Sequence, residues 1–370
     1  MKMKQPQKLG AQQLALLLIA LMALQGSAWA ASWTNAATMT SRRLGFTLTQ
    51  LLNGRVIAIG GQIGLHGGTA TATTEIYNPL TDSWTYSGSM HYARTNHTAT
   101  RLLDGSVLVT GGDNGDGNGM NSAEVYNPLN GSWSNTEAMH YGRTGHTAIL
   151  LPNGNVLVIS AAYSCCGDFP YPEIYDPHTR VWTVSSGQGL GDMAAILPNG
   201  MVLTRGYVNE VLDGWYLYNP YTDVWSEQNE DFPGRNSVAA GAALLNGRFL
   251  VTGGLLIYQG PMTDCEYFDP STLKWVTTGS MNTPRMQHMA TRLFFGTVLA
   301  FGGSDGTNSL SSAEIYNPGS ENWTPTTGMN QARDSAAAIL LPNRKVLVVG
   351  GETTTNGSIE VLATAELYNP

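Results

Sequence analysis

The chain has 370 residues, 42% hydrophobic and only 12% charged, with 43 Gly, 17 Pro and a net charge of −8 at neutral pH. So few charges exclude a long charged helix or coiled coil. The apolar content, with 9 Trp, 16 Tyr and 8 Phe, excludes a disordered chain. Residues 1–30 differ from the rest. Lys2, Lys4 and Lys8 precede an unbroken apolar run from Leu14 to Leu24, and Ala28-Trp29-Ala30 follows as a small-x-small site. This is the layout of a secretory signal peptide cleaved near Ala30, and the run is too short to span a bilayer. The mature chain is therefore expected to be secreted or periplasmic, without a transmembrane segment. Without those three lysines, 16 basic and 27 acidic residues remain, a net charge of −11. Such a surface repels phosphate backbones, so nucleic acid is not an expected partner.

From residue 31 onward one unit recurs. Its hexapeptide reads TEIYNP (74–79), AEVYNP (123–128), PEIYDP (172–177), WYLYNP (215–220), CEYFDP (265–270), AEIYNP (313–318) and AELYNP (365–370). Five residues after each of the first six prolines stands a Trp: Trp84, Trp133, Trp182, Trp225, Trp275 and Trp323. Upstream lie apolar runs ending in a Gly pair, as in VIAIGG (56–61), VLVTGG (107–112), FLVTGG (249–254), VLAFGG (298–303) and VLVVGG (346–351). Unit three has Ser160-Ala161 at that place and unit four has Arg205-Gly206. Before each run comes a turn, Asn-Gly or Asp-Gly in units one to five, then Phe295-Gly296 and Asn343-Arg344. Asn-Gly between apolar runs is a strong hairpin signal, because both residues tolerate positive φ. Each unit thus reads as four short antiparallel strands. Seven such units predict an all-β, seven-bladed propeller over residues 31–370.

The Gly pair, Tyr and Trp at these offsets resemble the kelch repeat, over essentially the whole mature chain. The seventh unit stops at Pro370, before a fourth strand. Ser32-Trp33-Thr34 through Met39 matches Ser83-Trp84 to Met90, so residues 31–39 are expected to supply the outer strand of the last blade. Such closure removes exposed strand edges, and the ring is expected to be a monomer.

An Arg stands four residues after a repeated Met at Arg43, Arg94, Arg143, Arg285 and Arg333, and Arg235 takes the same place in unit five. His97, His146 and His288 follow three residues after their Arg. The kelch resemblance implies that these residues ring the opening on a ligand-bearing face, where arginines would suit an anionic or carboxylate-bearing ligand. A second reading competes. Glu75, Glu124, Glu173, Glu266, Glu314 and Glu366 recur in the third strands, and unit four lacks both the Glu and the Arg. One shared gap points to an ion pair repeated in each blade.

The other polar features carry less chemistry. Asp113 to Gly119 resembles a calcium loop, but Met120 breaks the ligand spacing; it reads as a polar loop. Cys165 and Cys166 could form a vicinal disulfide in an oxidising compartment, while Cys265 replaces a small Ala and is expected to be buried. Within the kelch resemblance, the galactose oxidase group holds copper with Tyr and His and continues into a further domain. This sequence ends with unit seven and has no Tyr-His dipeptide. The sialic-acid epimerases use Arg and Glu that cannot be told here from the repeated ones. The expectation is a ring without catalytic residues, metal or cofactor that binds a protein or glycan through the loops of one face. The alternative is a carbohydrate-active enzyme of the epimerase or, less so, the copper-oxidase kind.

Overall fold

The computed structural model describes residues 31–65, 68–159, 171–187, 193–208, 211–228, 238–256 and 259–370. The segment 1–30, Arg235, Cys165, Cys166 and Ser160-Ala161 lie outside them. The described residues contain no helix and form seven four-stranded antiparallel sheets in a ring. Blade 1 is typical: Thr47–Gln50 is innermost, followed outward by Val56–Ile59, Thr73–Asn78 and Ser83–Ser89. Outside blade 4 the second strands are buried along their whole length, as at Val56–Ile59, Val298–Phe301 and Val346–Val349. Each is covered on both faces by neighbouring blades. That explains why these runs are continuously apolar rather than alternating.

The N-terminal strand closes the ring. Ser32–Ala36 pairs antiparallel with Ala365–Asn369, placing Trp33 opposite Tyr368. The Trp33 ring lies 5.1 Å from Tyr368 and 5.2 Å from Phe301 of blade 6, and its indole N–H donates to the Thr327 carbonyl at 2.8 Å. A similar bond recurs at three further seams, whereas the buried indole N–H groups of Trp133 and Trp323 have no hydrogen-bond partner among the described residues. Trp84 donates to the Ala37 carbonyl at 2.9 Å and Trp182 to the Glu137 carbonyl at 2.8 Å, each reaching the outer strand region of the preceding blade. At those seams the Trp therefore fastens blade to blade as well as filling its own sheet.

Blade 4 departs from the sequence reading. Arg205 does not stand in a Gly pair; it pairs with Trp215 within strand Val202–Val208, which continues with Val211–Asn219 as one long hairpin containing a bulge at Gly206/Tyr207. Blades 1, 2, 5, 6 and 7 break their second strand at the Gly pair. There Gly111, at φ +58°, lies so close to blade 3 that a Cβ would sit 2.5 Å from the Arg143 carbonyl. Only Gly fits that seam.

Candidate functional site

One face of the ring gathers the segments entering each inner strand and the loops after each second strand. Antiparallel bridges join them, such as Leu44 with Gln62, Thr95 with Asp113 and Asp334 with Glu352. Among the described residues, five of the entering segments carry the repeated Arg, and the one before blade 4 has none. Arg94 runs inward to blade 2, where it donates to the carbonyls of Gly111 at 2.6 Å and Ser122 at 3.1 Å and to the Glu124 carboxylate at 3.0 Å. Its own carbonyl accepts from Gly61 of blade 1 at 2.9 Å. Each Arg is thus a staple between consecutive blades.

The arrangement repeats at Arg43–Glu75, Arg143–Glu173, Arg285–Glu314 and Arg333–Glu366, with N–O distances of 2.9 to 3.1 Å. All five arginines are at most 1% exposed. The Glu carboxylates are also wrapped by the loop that carries the Arg: Glu124 accepts from the backbone N–H groups of His91 at 2.7 Å and Tyr92 at 3.2 Å. Burial pulls Arg94, Arg143, Arg285 and Arg333 below the ordinary guanidinium value, against the opposing pull of the facing Glu. A pair enclosed in this way fixes geometry and is expensive to break on one side. The guanidinium groups on which a ligand ring would depend are turned into the frame.

The repeated histidines are seam residues too. The Nε2 atom of His146 shares hydrogen bonds with Thr98 at 3.1 Å and Thr110 at 2.9 Å of the preceding blade. His97 reaches Thr47 at 3.1 Å and His288 reaches Thr252 at 2.8 Å in the same manner. Burial, reinforced by the neighbouring Arg, holds His97 well below 6.5 and lowers His146 and His288 to about 3. All three are neutral pegs at physiological pH.

Inside the staples, residues in left-handed conformation link the blades around the opening. Asn96 N–H donates to the Gly45 carbonyl and Gly145 N–H to that of Asn96, both at 2.8 Å. Gln287 donates to Val238 at 3.0 Å and Ser335 to Gln287 at 3.2 Å. This rigid eyelet leaves the outer loops as the variable part of the face. Three carry their own hairpins: Gln62–Ile63 with Thr69–Ala70, Leu255–Leu256 with Gly260–Pro261, and Glu352–Thr355 with Ser358–Val361. Ile63, Leu65 and Ile359 are exposed on them, and Tyr92, Tyr141 and Tyr171 are exposed beside them. His91 and His140, half exposed, each bond a buried Glu at 2.8 Å. The Asp113 loop is tied down at its base, where the carboxylate accepts from Thr144 at 2.7 Å and from the Gly115 N–H at 2.9 Å. Cys265 is buried.

The Kelch motif matches residues 49–91, 94–140 and 296–330, which fall largely in blades 1, 2 and 6. The seven-bladed propeller thus carries Kelch motifs in three of its blades. No curated protein matches the sequence. Among solved structures, a fungal alcohol oxidase, described as novel with catalytic diversity among the AA5 family and in complex with copper, aligns with a TM-score of 0.75 at 16% identity. The alignment covers 92% of this chain and 76% of that one. At that identity the likeness shows the fold alone. No three His, Cys, Asp or Glu among the described residues come together, and His97, His146 and His288 are committed to threonines in the seams.

Proposed function

We infer that this kelch propeller is exported and binds a protein or a glycan through its loop face. One observation carries the reading. The repeated polar residues of that face are consumed in blade-to-blade contacts, whereas the irregular hairpins and exposed Tyr side chains stand outside that frame. Loops on a rigid scaffold are where recognition concentrates. The N-terminal charge and apolar pattern supports export, with Ala31 as the first mature residue.

The test is a glycan array and a screen of extracellular proteins with mature protein, alongside a variant whose hairpin 352–361 is replaced by a short turn. Loss of a binder on that replacement, with melting unchanged, supports the reading. A binder indifferent to replacement of each of the three hairpins would refute it. Copper analysis and a mutarotation assay on sialic acid address the enzymatic alternative; stoichiometric copper or turnover would replace the binding reading. Sequencing the N-terminus of exported protein checks cleavage at Ala30.

A further inference from the structure

The opposite face is built from the turns between first and second strands, and these form a closed apolar ring. In each turn the second residue packs on the Gly of the next blade's turn. A Cβ on Gly105 would fall 2.5 Å from Leu52, one on Gly154 3.0 Å from Leu103, one on Gly247 2.4 Å from Pro198, and one on Gly296 2.7 Å from Leu245. Six turns have Gly at this place, all with positive φ. Blade 7 breaks the rule with Arg344, held at φ +70° in a conformation that disfavours a side chain. Strain of that kind, kept where Gly would be unstrained, accompanies functional sites.

The surroundings of Arg344 depart from the repeat as well. Blade 6 carries Phe294 where the other turns have Leu or Pro, and adds Phe295 where the first five have Asn or Asp. The Arg344 guanidinium lies 4.2 Å over the Phe294 ring. Phe295 stands at 90° to Phe294 and is 78% exposed. Stacking fixes the plane of the guanidinium, while its N–H edge makes no hydrogen bond or ion pair with the described residues. Lys345, one of two lysines after residue 30, lines the same cavity with Asn343 and Asn369. The cavity is about 340 Å³; no Asp or Glu side chain lines it, and Pro370, the last residue of the sequence, lies at its edge with the one carboxylate nearby.

We propose that this cavity between blades 6 and 7 is a binding site for a carboxylate-bearing sugar, a uronic acid within an anionic glycan. The stacked, unpaired guanidinium presents two parallel N–H donors to the carboxylate, and Lys345 adds a second positive charge. Phe295 offers an open ring face to the apolar face of the pyranose. The volume lies at the small end of ligand pockets, which fits one end of a sugar chain rather than a folded partner. This site is separate from the loop face, and replacing hairpin 352–361 leaves it in place.

The experiment is calorimetric titration of mature protein with a galacturonic acid trimer, the matching galactose trimer and a short poly-glutamate peptide. Arg344→Gly and Phe295→Ala variants are titrated in parallel. Arg344→Gly restores the residue of the other six turns, so its melting temperature is expected to equal or exceed that of the wild type. The proposal expects galacturonate binding at least tenfold tighter than galactose, weakened by salt, and reduced at least tenfold in each variant. Absence of galacturonate binding, equal affinity in Arg344→Gly, or equal affinity for the galactose trimer overturns it. Preference for the peptide over the sugar also overturns it, in favour of an acidic protein ligand.

Discussion

Trp33→Ala tests closure of the ring by its first strand. Trp33 is 8% exposed, contacts aromatic rings in blades 6 and 7, and donates its indole N–H across the seam at 2.8 Å. Truncating a buried Trp costs about 3–5 kcal/mol. Unfolding entropy is about 2.1 cal/mol/K per residue, or about 0.7 kcal/mol/K over residues 31–370, so a loss of about 4 kcal/mol lowers melting by about 6 °C. Trp182→Ala, buried against Tyr175 at 4.9 Å with an equivalent bond to Glu137, should cost a similar amount. Deleting residues 31–39 should do more, because Ala365–Asn369 becomes an exposed edge prone to pairing with other chains. Calorimetry and light scattering on the three variants provide the readout. A Trp33→Ala protein melting within 1 °C of wild type, or a deletion that stays monomeric with unchanged melting, would refute the closure argument.

Two predictions concern pH. His146 and His288 are neutral in the folded ring down to about pH 3 but take up a proton near pH 6.5 when unfolded. Their contribution is intact above pH 6.5 and is lost as pH falls toward 3, at about 1.4 kcal/mol per pH unit for each. Urea unfolding between pH 6.5 and 5 should show this slope, and His146→Gln should reduce it by one proton; an unchanged slope would count against the peg assignment. Glu314 is pushed up by burial, but hydrogen bonds from Asn282, Arg285 and Thr283 outweigh this and hold it below 4.5. Its contribution is present above pH 4.5 and lost as pH falls through the lower folded value, so Glu314→Gln should flatten that part of the acid-unfolding profile.

Much of this architecture is legible in the sequence because each blade repeats one set of constraints. The hexapeptide and the Trp five residues later mark the third and fourth strands, and Ser32-Trp33-Thr34 announces itself as a displaced fourth strand. The pairing of Arg with Glu could be inferred because blade 4 lacks both at once. What one unit cannot reveal is contact between units. The reach of Trp84 to Ala37, of His146 to Thr98 and of Arg344 to Phe294 depends on which blades become neighbours. A single motif carries no trace of that. Blade 4 misleads for a local reason: Arg205 before Gly206 resembles a degraded Gly pair, but the strand there continues through a bulge.

The central claim is that the repeated arginines hold blades together and are not ligand contacts. A double-mutant cycle on Arg94 and Glu124, read by equilibrium unfolding, tests it most directly. Removing Arg94 alone should cost about 3–5 kcal/mol by leaving a buried carboxylate short of its partner, whereas Arg94→Met with Glu124→Leu should cost less than the sum of the two single changes, because the ion pair is removed as a unit while the backbone groups each side chain satisfied stay unpaired. Single and double variants each within about 0.5 kcal/mol of wild type, the level of ordinary surface substitutions, would contradict the account.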